Sequence, residues 1–191
     1  MNSTRDRIID TTCELLEAQG YHATGLNQIL TESDAPKGSL YYYFPEGKEE
    51  LAAEAITRTG RIVAQRIKHG LAAIEDPADA IEAFVRNVAY HVEASGFRAG
   101  GPLTIVAMET ANSSERMNAA CQEAYRLLQE AFGEKLLAAG YSLTRAEHLA
   151  TFITSAMEGG IILSRTNHSG EPLRQVAVSI TQLLKATPRD S

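Results

Sequence analysis

The stretch from Asp34 to Leu51 reads Asp-Ala-Pro-Lys-Gly-Ser-Leu-Tyr-Tyr-Tyr-Phe-Pro-Glu-Gly-Lys-Glu-Glu-Leu, with three consecutive tyrosines at residues 41–43. Turn residues precede the tyrosines and a Phe-Pro pair follows them, so the stretch predicts a short helix. Because neighbours on a helix are about 100° apart, the three tyrosines cannot all face one core. At least one hydroxyl is expected to face outward, and Lys37 and Ser39 lie one turn earlier. This pattern is typical of a helix that contacts nucleic acid.

Two segments before this stretch complete a helix-turn-helix pattern. A first helix is predicted to begin near Ser3 or Thr4 and to end at Gly20. A second, short helix over residues 26–32 keeps its apolar side chains on one face, and residues 33–35 form a tight turn. Two short helices joined in this way match a unit whose second helix enters the major groove of DNA. A helical hairpin with no DNA role has the same pattern, so geometry alone leaves both interpretations open.

The remainder of the chain shows helical patterns and no strand pattern. Further helices are predicted from Lys48 to about Ile74, from Asp76, from Leu103 to about Thr110, from residues 112–114 to Gly140, from Thr144 to about Arg165, and from Pro172. Asp76 is the expected cap of the helix that it starts. Thr144 is the expected cap of its own helix, because Glu147 three residues later completes a capping box. The sequence therefore predicts an all-α fold of about nine helices.

Composition places the chain among ordinary globular proteins. It has 191 residues, of which 44% are hydrophobic and 22% charged, and no apolar run of about 18 residues predicts a membrane span. Two distant cysteines, Cys13 and Cys121, favour a reduced protein of the cytoplasm. The net charge is −6, and the first 48 residues hold four basic and seven acidic side chains. Because phosphate neutralisation supplies much of DNA affinity, this acidity argues against DNA binding.

The last two long helices carry more apolar and small residues than one buried face needs. The residues concerned are Ala146, Leu149, Ala150, Ile153, Met157, Gly160 and Ile161. Such a helix is either deeply buried or shared with a partner. Pairing two copies of the chain through these helices gives a four-helix interface with two-fold symmetry. A homodimer is favoured, because a lone helix-turn-helix unit rarely binds tightly without a second half-site.

No enzyme constellation is present in the sequence. The five histidines include no i, i+4 pair, and the chain has no Cys-x-x-Cys, Gly-x-Ser-x-Gly, phosphate loop or dinucleotide fingerprint. We therefore expect no enzyme activity, no cofactor, no metal and no membrane partner. The better rival to a DNA-binding protein is an all-helical protein-interaction adaptor, which fits the acidic N-terminal segment but leaves the three tyrosines without a role.

The N-terminal residues resemble the signature of TetR-family transcriptional regulators. The matching residues are Gly20-Tyr21, Thr24, Ile29, Lys37-Gly38-Ser39-Leu40-Tyr41-Tyr42-Tyr43-Phe44 and Lys48-Glu49-Glu50-Leu51. The usual family spacing has one residue fewer between the Phe and the Lys, whereas here Phe44-Pro45-Glu46-Gly47-Lys48 has an extra glycine, Gly47. This longer spacing, with Gly101-Pro102-Leu103 and Val106-Ala107-Met108-Glu109, is similar to the LmrA/YxaF-type branch.

This resemblance implies a dimeric repressor that releases its operator when a small molecule binds. It implies a three-helix DNA-binding unit with a helix-turn-helix, residues 1–47, and a larger helical ligand-binding and dimerisation domain, residues 48–191. Carried over by position, it assigns DNA contacts to Thr24, Asn27, Gln28, Lys37, Gly38, Ser39, Tyr41, Tyr42, Tyr43 and Lys48. Lys37 and Tyr42 are the expected base-edge contacts, whereas Lys48 is expected to hold a phosphate at a helix N-terminus.

A ligand pocket is expected among apolar residues of the larger domain. The candidates are Phe84, Val88, His91, Phe97, Ile105, Met108, Glu109, Phe132, Phe152 and Met157, with His91 or Glu109 as polar anchors. Ordinary core packing is the alternative for each of them. Few basic residues lie in these segments, which disfavours an anionic phosphate and favours an apolar or aromatic effector. The resemblance agrees, because the LmrA/YxaF-type branch includes regulators that respond to flavonoids and to hydrophobic antibiotics.

Overall fold

The computed structural model describes residues 3–187, and within that range it contains nine α-helices and no β-strand. The helices are α1 (Thr4–Ala23), α2 (Leu26–Glu32), α3 (Lys37–Tyr43), α4 (Lys48–Ala72), α5 (Pro77–Ala94), α6 (Thr104–Thr110), α7 (Glu115–Ala138), α8 (Leu143–Asn167) and α9 (Glu171–Ala186). The prediction of an all-α fold of about nine helices is confirmed.

Short polar side chains cap two helices where the sequence predicted them. The Ser3 hydroxyl accepts a hydrogen bond from the Asp6 backbone N–H at 3.1 Å and so begins α1. The Asp76 carboxylate accepts from the N–H groups of Ala78 and Asp79 at 2.9 and 3.2 Å, which begins α5. Each contact satisfies N–H groups that the helix itself leaves without partners.

The predicted cap of α8 is wrong by two residues. The N-cap is Ser142, whose backbone is extended (φ −64°, ψ 156°), and Thr144 already lies inside the helix. The preceding turn at residues 139–140, where Gly140 has a φ of +90°, ends before Tyr141. The extended Ser142 is therefore the last residue before the helical backbone begins.

One compact unit comprises the chain up to Arg61 together with Pro102–Tyr125. In it α1 packs against α2, α3 and α6. Its buried side chains include Ile8, Leu16, Ile29, Leu40, Phe44, Leu51, Ile56 and Val106. The unit contains the segment 1–47 assigned to DNA binding, and also the start of α4, all of α6 and the first part of α7. The division of roles between residues 1–47 and 48–191 stays a prediction.

The second compact unit comprises Ile62–Gly101 and the chain from Arg126 onward. Its most extensive helix pair is α5 with α9, and α8 packs against both. Buried side chains include Ile81, Val85, Val92, Phe132, Ile153, Leu173 and Ile180. The Tyr141 hydroxyl donates to the backbone oxygen of Leu184 at 3.1 Å, which ties the start of α8 to the end of α9.

Both cysteines are free, and burial raises the pKa of each thiol. Cys121 is buried, whereas Cys13 is half-buried and its thiol donates to the backbone oxygen of Ala55 at 3.4 Å. Within residues 3–187, no helix combines the length and the apolar composition needed to cross a membrane.

Candidate nucleic-acid interface

The turn between α2 and α3 is held by a side chain from α1. Asp34 lies in this turn with a φ of +49°, in the left-handed region. The guanidinium of Arg7 donates to the backbone oxygens of Ser33 at 3.2 Å and Asp34 at 3.0 Å. A cation at the C-terminal end of α2 also opposes the partial negative charge there. The turn predicted at residues 33–35 is therefore present, and α1 fixes its geometry.

Helix α3 presents its tyrosines to solvent while two apolar side chains anchor it. Leu40 and Phe44 are fully buried, whereas Tyr41 is 63% and Tyr42 79% exposed. Tyr43 is half-buried, and its ring meets the Tyr42 ring edge-on with centroids 5.0 Å apart. The three tyrosines therefore do not share one face. This confirms the prediction from helical spacing.

Polar residues surround this exposed face. Lys37 and Gly38 are exposed at the start of α3, and Ser39 is half-buried. On α2, Asn27 is exposed, and the half-buried Gln28 donates to Glu32 and accepts from Gln19. Thr24 differs from the other predicted DNA-contact residues because it is almost fully buried. Its hydroxyl donates to the Gly20 backbone oxygen at 2.6 Å.

Lys48 lies at the first position of α4 and contacts the end of α1. Its Nζ donates to the backbone oxygen of Tyr21 at 2.6 Å and lies 4.2 Å from the centre of the Tyr21 ring. Partial burial lowers the pKa of Lys48, and the nearby carboxylate of Glu109 opposes that shift. An ammonium has three donors, so two remain for another acceptor.

The extra glycine of this chain lies directly before Lys48. Gly47 has a φ of +82°, a conformation that side-chain-bearing residues rarely adopt. Its N–H donates to the Phe44 backbone oxygen at 2.9 Å, and its own oxygen accepts from Leu51 at 3.2 Å. The glycine therefore allows a tight turn that leads from α3 directly into α4.

Residues from a distant part of the sequence complete the unit. Glu109 of α6 accepts from the backbone N–H groups of Tyr21 and His22 at 2.6 and 3.2 Å. At the start of α7, the Ser114 hydroxyl donates to Glu49 at 2.6 Å. These contacts were not predicted from the sequence. They join residues 65 to 88 positions apart, a separation at which local periodicity carries no signal.

Arginines outside the first 48 residues neutralise part of the acidity counted there. Arg58 of α4 pairs with Asp6 and Asp10, each at 2.9 Å. Arg116 of α7 pairs with Glu46, and this carboxylate raises the pKa of Arg116. Three of the seven acidic side chains therefore have arginine partners, which weakens the charge argument against DNA binding.

The predicted ligand residues fall in both units. Ile105, Met108 and Glu109 lie on α6 in the first unit, where Met108 is 81% exposed. In the second unit Phe132 and Met157 are buried, Phe84, Val88 and Phe97 are half-buried, and His91 and Phe152 are exposed. The rings of Phe84 and Phe132 meet edge-on with centroids 5.9 Å apart. Which of these residues contact a ligand stays a prediction.

The second unit contains an open groove of about 540 Å³ between α7 and α8. Residues Arg126, Glu130, Leu137, Leu143, Glu147 and Ala150 contribute to its walls, which include no predicted ligand residue. Among the residues that the structure describes, no group of three or more His, Cys, Asp or Glu side chains is placed to hold a metal ion.

The α8 residues predicted to face a partner are core residues of the single chain. All seven, Ala146, Leu149, Ala150, Ile153, Met157, Gly160 and Ile161, are buried. The exposed large apolar side chains of the last two helices are different ones, namely Leu143, Phe152, Ile162 and Leu163 on α8 and Val178 and Leu183 on α9. The alternative of ordinary core packing therefore holds for the residues that motivated the dimer prediction.

Comparison with known proteins agrees with this architecture. The family model for bacterial regulatory proteins of the tetR family matches residues 8–55. The model for the C-terminal domain of LmrA/YxaF-like transcriptional regulators matches residues 77–179. The HTH-type transcriptional regulator YxaF of Bacillus subtilis (strain 168) is 42% identical over 182 residues, which cover 95% of each chain. The HTH-type transcriptional regulator LmrA of the same organism is 40% identical over 182 residues, which cover 95% of this chain and 97% of LmrA.

Solved structures share the fold. A TetR transcriptional regulator from Legionella pneumophila superposes with a TM-score of 0.82 at 22% identity, covering 96% of this chain and 98% of its own. The reduced form of Escherichia coli NemR gives a TM-score of 0.80 at 22% identity, covering 95% and 97%. The resemblance found in the sequence is thereby confirmed: the chain belongs to the TetR family of bacterial transcriptional regulators, in its LmrA/YxaF-like branch.

Proposed function

We propose that the chain is a homodimeric repressor that binds a palindromic DNA operator through α2 and α3 and is released by a small, largely apolar effector. The observation that carries the DNA-binding part is the exposed face of α3. Tyr41 and Tyr42 point away from a helix whose Leu40 and Phe44 are fully buried. Burying the two aromatic rings of this face against a second surface is favourable, and Lys37 adds a positive charge.

The ten predicted DNA-contact residues take different roles in this proposal. Lys37 and Tyr42 contact base edges, and Gly38 lets the backbone of α3 approach the groove closely. Tyr41, Tyr43 and Lys48 contact phosphates, while Asn27 and Gln28 position α2 across the backbone. Thr24 supports this placement from inside, because its hydroxyl is bonded to Gly20.

The dimer is proposed through the exposed apolar side chains of α8 and α9. Phe152, Ile162 and Leu163 are exposed on α8, and Val178 and Leu183 are exposed on α9. Exposed apolar side chains on two adjacent helices are suited to an isologous four-helix interface. Two-fold symmetry would then present two copies of α3 to a palindrome.

The effector is proposed to bind in the domain formed by residues 48–191. An apolar or aromatic molecule suits the predicted pocket residues, which include one histidine, one glutamate and no arginine or lysine. We propose that the effector favours a dimer state in which the two copies of α3 no longer match successive major grooves, about 34–36 Å or a multiple apart. Helix α4 contributes residues to both compact units and is the proposed carrier of this change.

Selection of genomic DNA fragments by the purified protein at physiological salt tests the DNA-binding part. Enrichment of one or a few palindromic sites is expected. If a folded protein enriches no site, the DNA-binding proposal is refuted, and the all-helical adaptor becomes the better interpretation. As a bacterial DNA-binding protein it is expected in the cytoplasm, with the chromosome.

The effector is tested separately on the selected site. Flavonoids and hydrophobic antibiotics are titrated against the protein–DNA complex, and release of the DNA at micromolar concentration is expected for at least one compound. Spin labels at position 42 of both subunits should report a changed separation on saturation. Release of DNA with an unchanged separation would contradict the proposed mechanism while leaving DNA binding intact.

A further inference from the structure

The carboxylate of Glu109 lies against the backbone at the end of α1. Its Oε2 accepts from the N–H groups of both Tyr21 and His22, at 2.6 and 3.2 Å. Glycine at position 20 leaves room for it, because a Cβ there would lie 2.8 Å from both carboxylate oxygens. The contact joins α6 to a segment 87 to 88 residues earlier in the chain.

The peptide group between Tyr21 and His22 contacts Glu109 at its N–H end and Lys48 at its oxygen end. The N–H of His22 and the oxygen of Tyr21 belong to one peptide group. Glu109 accepts from the N–H of this group, and the Lys48 ammonium donates to its oxygen at 2.6 Å. A negative charge at one end and a positive charge at the other polarise the peptide in the same sense, which strengthens both hydrogen bonds.

We propose that Glu109 is a positioning residue for DNA binding, which acts through the Tyr21–His22 peptide to hold the Lys48 ammonium where it meets a phosphate. The inference rests on the proposed DNA-binding function. Lys48 keeps two donors after bonding to Tyr21, and it stands at the N-terminus of α4, where phosphate binding is favourable. Without Glu109 the peptide keeps only the hydrogen bond that the Thr24 N–H donates to the Tyr21 oxygen at 3.3 Å, so the acceptor of the long lysine side chain is held less firmly.

Removing Glu109 is expected to lower the affinity for DNA, because Glu109 keeps the Lys48 side chain ordered. Immobilising a flexible side chain at an interface costs affinity, so a Lys48 that must be ordered by DNA itself should bind about three- to tenfold more weakly. The direction of this effect is diagnostic. Removing an acidic residue from a DNA-binding unit should strengthen binding through general electrostatics, whereas removing Glu109 is expected to weaken it.

The experiment measures dissociation constants over a range of salt concentrations for a palindromic duplex selected by the wild-type protein. Glu109→Ala is compared with Glu115→Ala, which removes the same charge from an exposed position in the same compact unit. Weaker binding by Glu109→Ala and equal or tighter binding by Glu115→Ala are expected. Equal affinities of the two variants would overturn the inference.

A double-mutant cycle distinguishes positioning from general support of the fold. Lys48→Ala should weaken binding and lower the salt slope by about one unit. Adding Glu109→Ala to Lys48→Ala should then cost nothing more, because the side chain that Glu109 positions is already absent. If the double variant instead shows the product of the two single-variant losses in affinity, the inference is overturned and Glu109 has a structural role alone.

A conservative variant covers the case in which Glu109→Ala fails to fold. Glu109→Gln keeps an oxygen acceptor but loses the charge, and bonds to a neutral acceptor are about half as strong. At least a twofold loss is expected with Lys48 present, and none with Lys48→Ala; any other pattern overturns the inference. A wild-type protein that selects no duplex would refute the proposed function itself, and this inference with it.

Discussion

A Cβ atom on Gly20 would lie 2.8 Å from each carboxylate oxygen of Glu109. The same atom would lie 2.6 Å from the Cγ2 of Ile105, and the backbone of Gly20 has a φ of +79°. Both the conformation and the close approach of α6 therefore require glycine at this position. The sequence predicted that the first helix ends at Gly20, whereas the structure has a kink at Gly20 and α1 continues to Ala23.

Gly20→Ala is expected to destabilise the protein by about 2–5 kcal/mol, because backbone strain and overpacking add. Gly25→Ala is the matched control: Gly25 has a φ of −97°, and its added Cβ meets no atom within 4 Å. The control should lose less than about 1 kcal/mol. Chemical denaturation measures both, and similar losses would contradict the proposed role of the α1–α6 contact.

Arg116→Gln is expected to weaken DNA binding about two- to fivefold at low salt, because Glu46 then lacks its cation beside Glu49 and Glu50. Arg61→Gln removes the same charge from an exposed position of α4 and is the control. Binding to the selected duplex measures both variants. An equal loss in the control would show that total charge, and not the pairing with Glu46, determines the effect.

Leu163→Glu is expected to convert the dimer into monomers at micromolar concentration, because it places a charge among the exposed apolar side chains of α8. Met108→Glu changes an even more exposed apolar residue on α6 and should leave the dimer intact. Sedimentation velocity measures the oligomeric state. A Leu163→Glu protein that stays dimeric would place the interface elsewhere.

The contribution of Asp6 to stability should disappear in acid. Hydrogen bonds from Ser3 and Arg58 lower the pKa of Asp6 below its ordinary value. A lowered folded-state pKa means that the stabilisation is complete above the ordinary carboxyl range and is lost as pH falls through the folded-state pKa. Asp6→Asn should therefore be less stable than wild type at pH 7, and the difference should shrink below about pH 4. A constant difference between pH 7 and pH 3 would contradict this assignment.

Local signals in the sequence located most of the fold and the exposed face of α3. Ser3 and Asp76 cap helices as predicted, because a cap depends on residues only two or three positions away. The contact of Glu109 with Tyr21 could not be predicted in this way, since it depends on how α6 packs against α1. The count of charges in the first 48 residues was misleading for the same reason. Arg116, which pairs with Glu46, lies 70 residues further along the chain and was not included in the count.

Faces of buried helices were the least predictable feature. Helix α8 is apolar on several sides, and composition does not distinguish the side that packs on α5 and α9 from a side that remains exposed. Ile161 and Ile162 are adjacent and chemically identical, yet the first is buried and the second exposed. Only the packing of the neighbouring helices decides between them.

The most direct test of the account compares two exposed tyrosines. Tyr42 on α3 is 79% exposed and Tyr90 on α5 is 66% exposed, so replacing either with alanine should leave the core unchanged. Affinity for the selected palindrome and for unrelated DNA is measured for both variants at physiological salt. Tyr42→Ala is expected to lose at least about tenfold in affinity for the palindrome and none for unrelated DNA, while Tyr90→Ala is expected to bind as wild type does. Equal binding by the two variants would contradict the claim that α3 reads DNA.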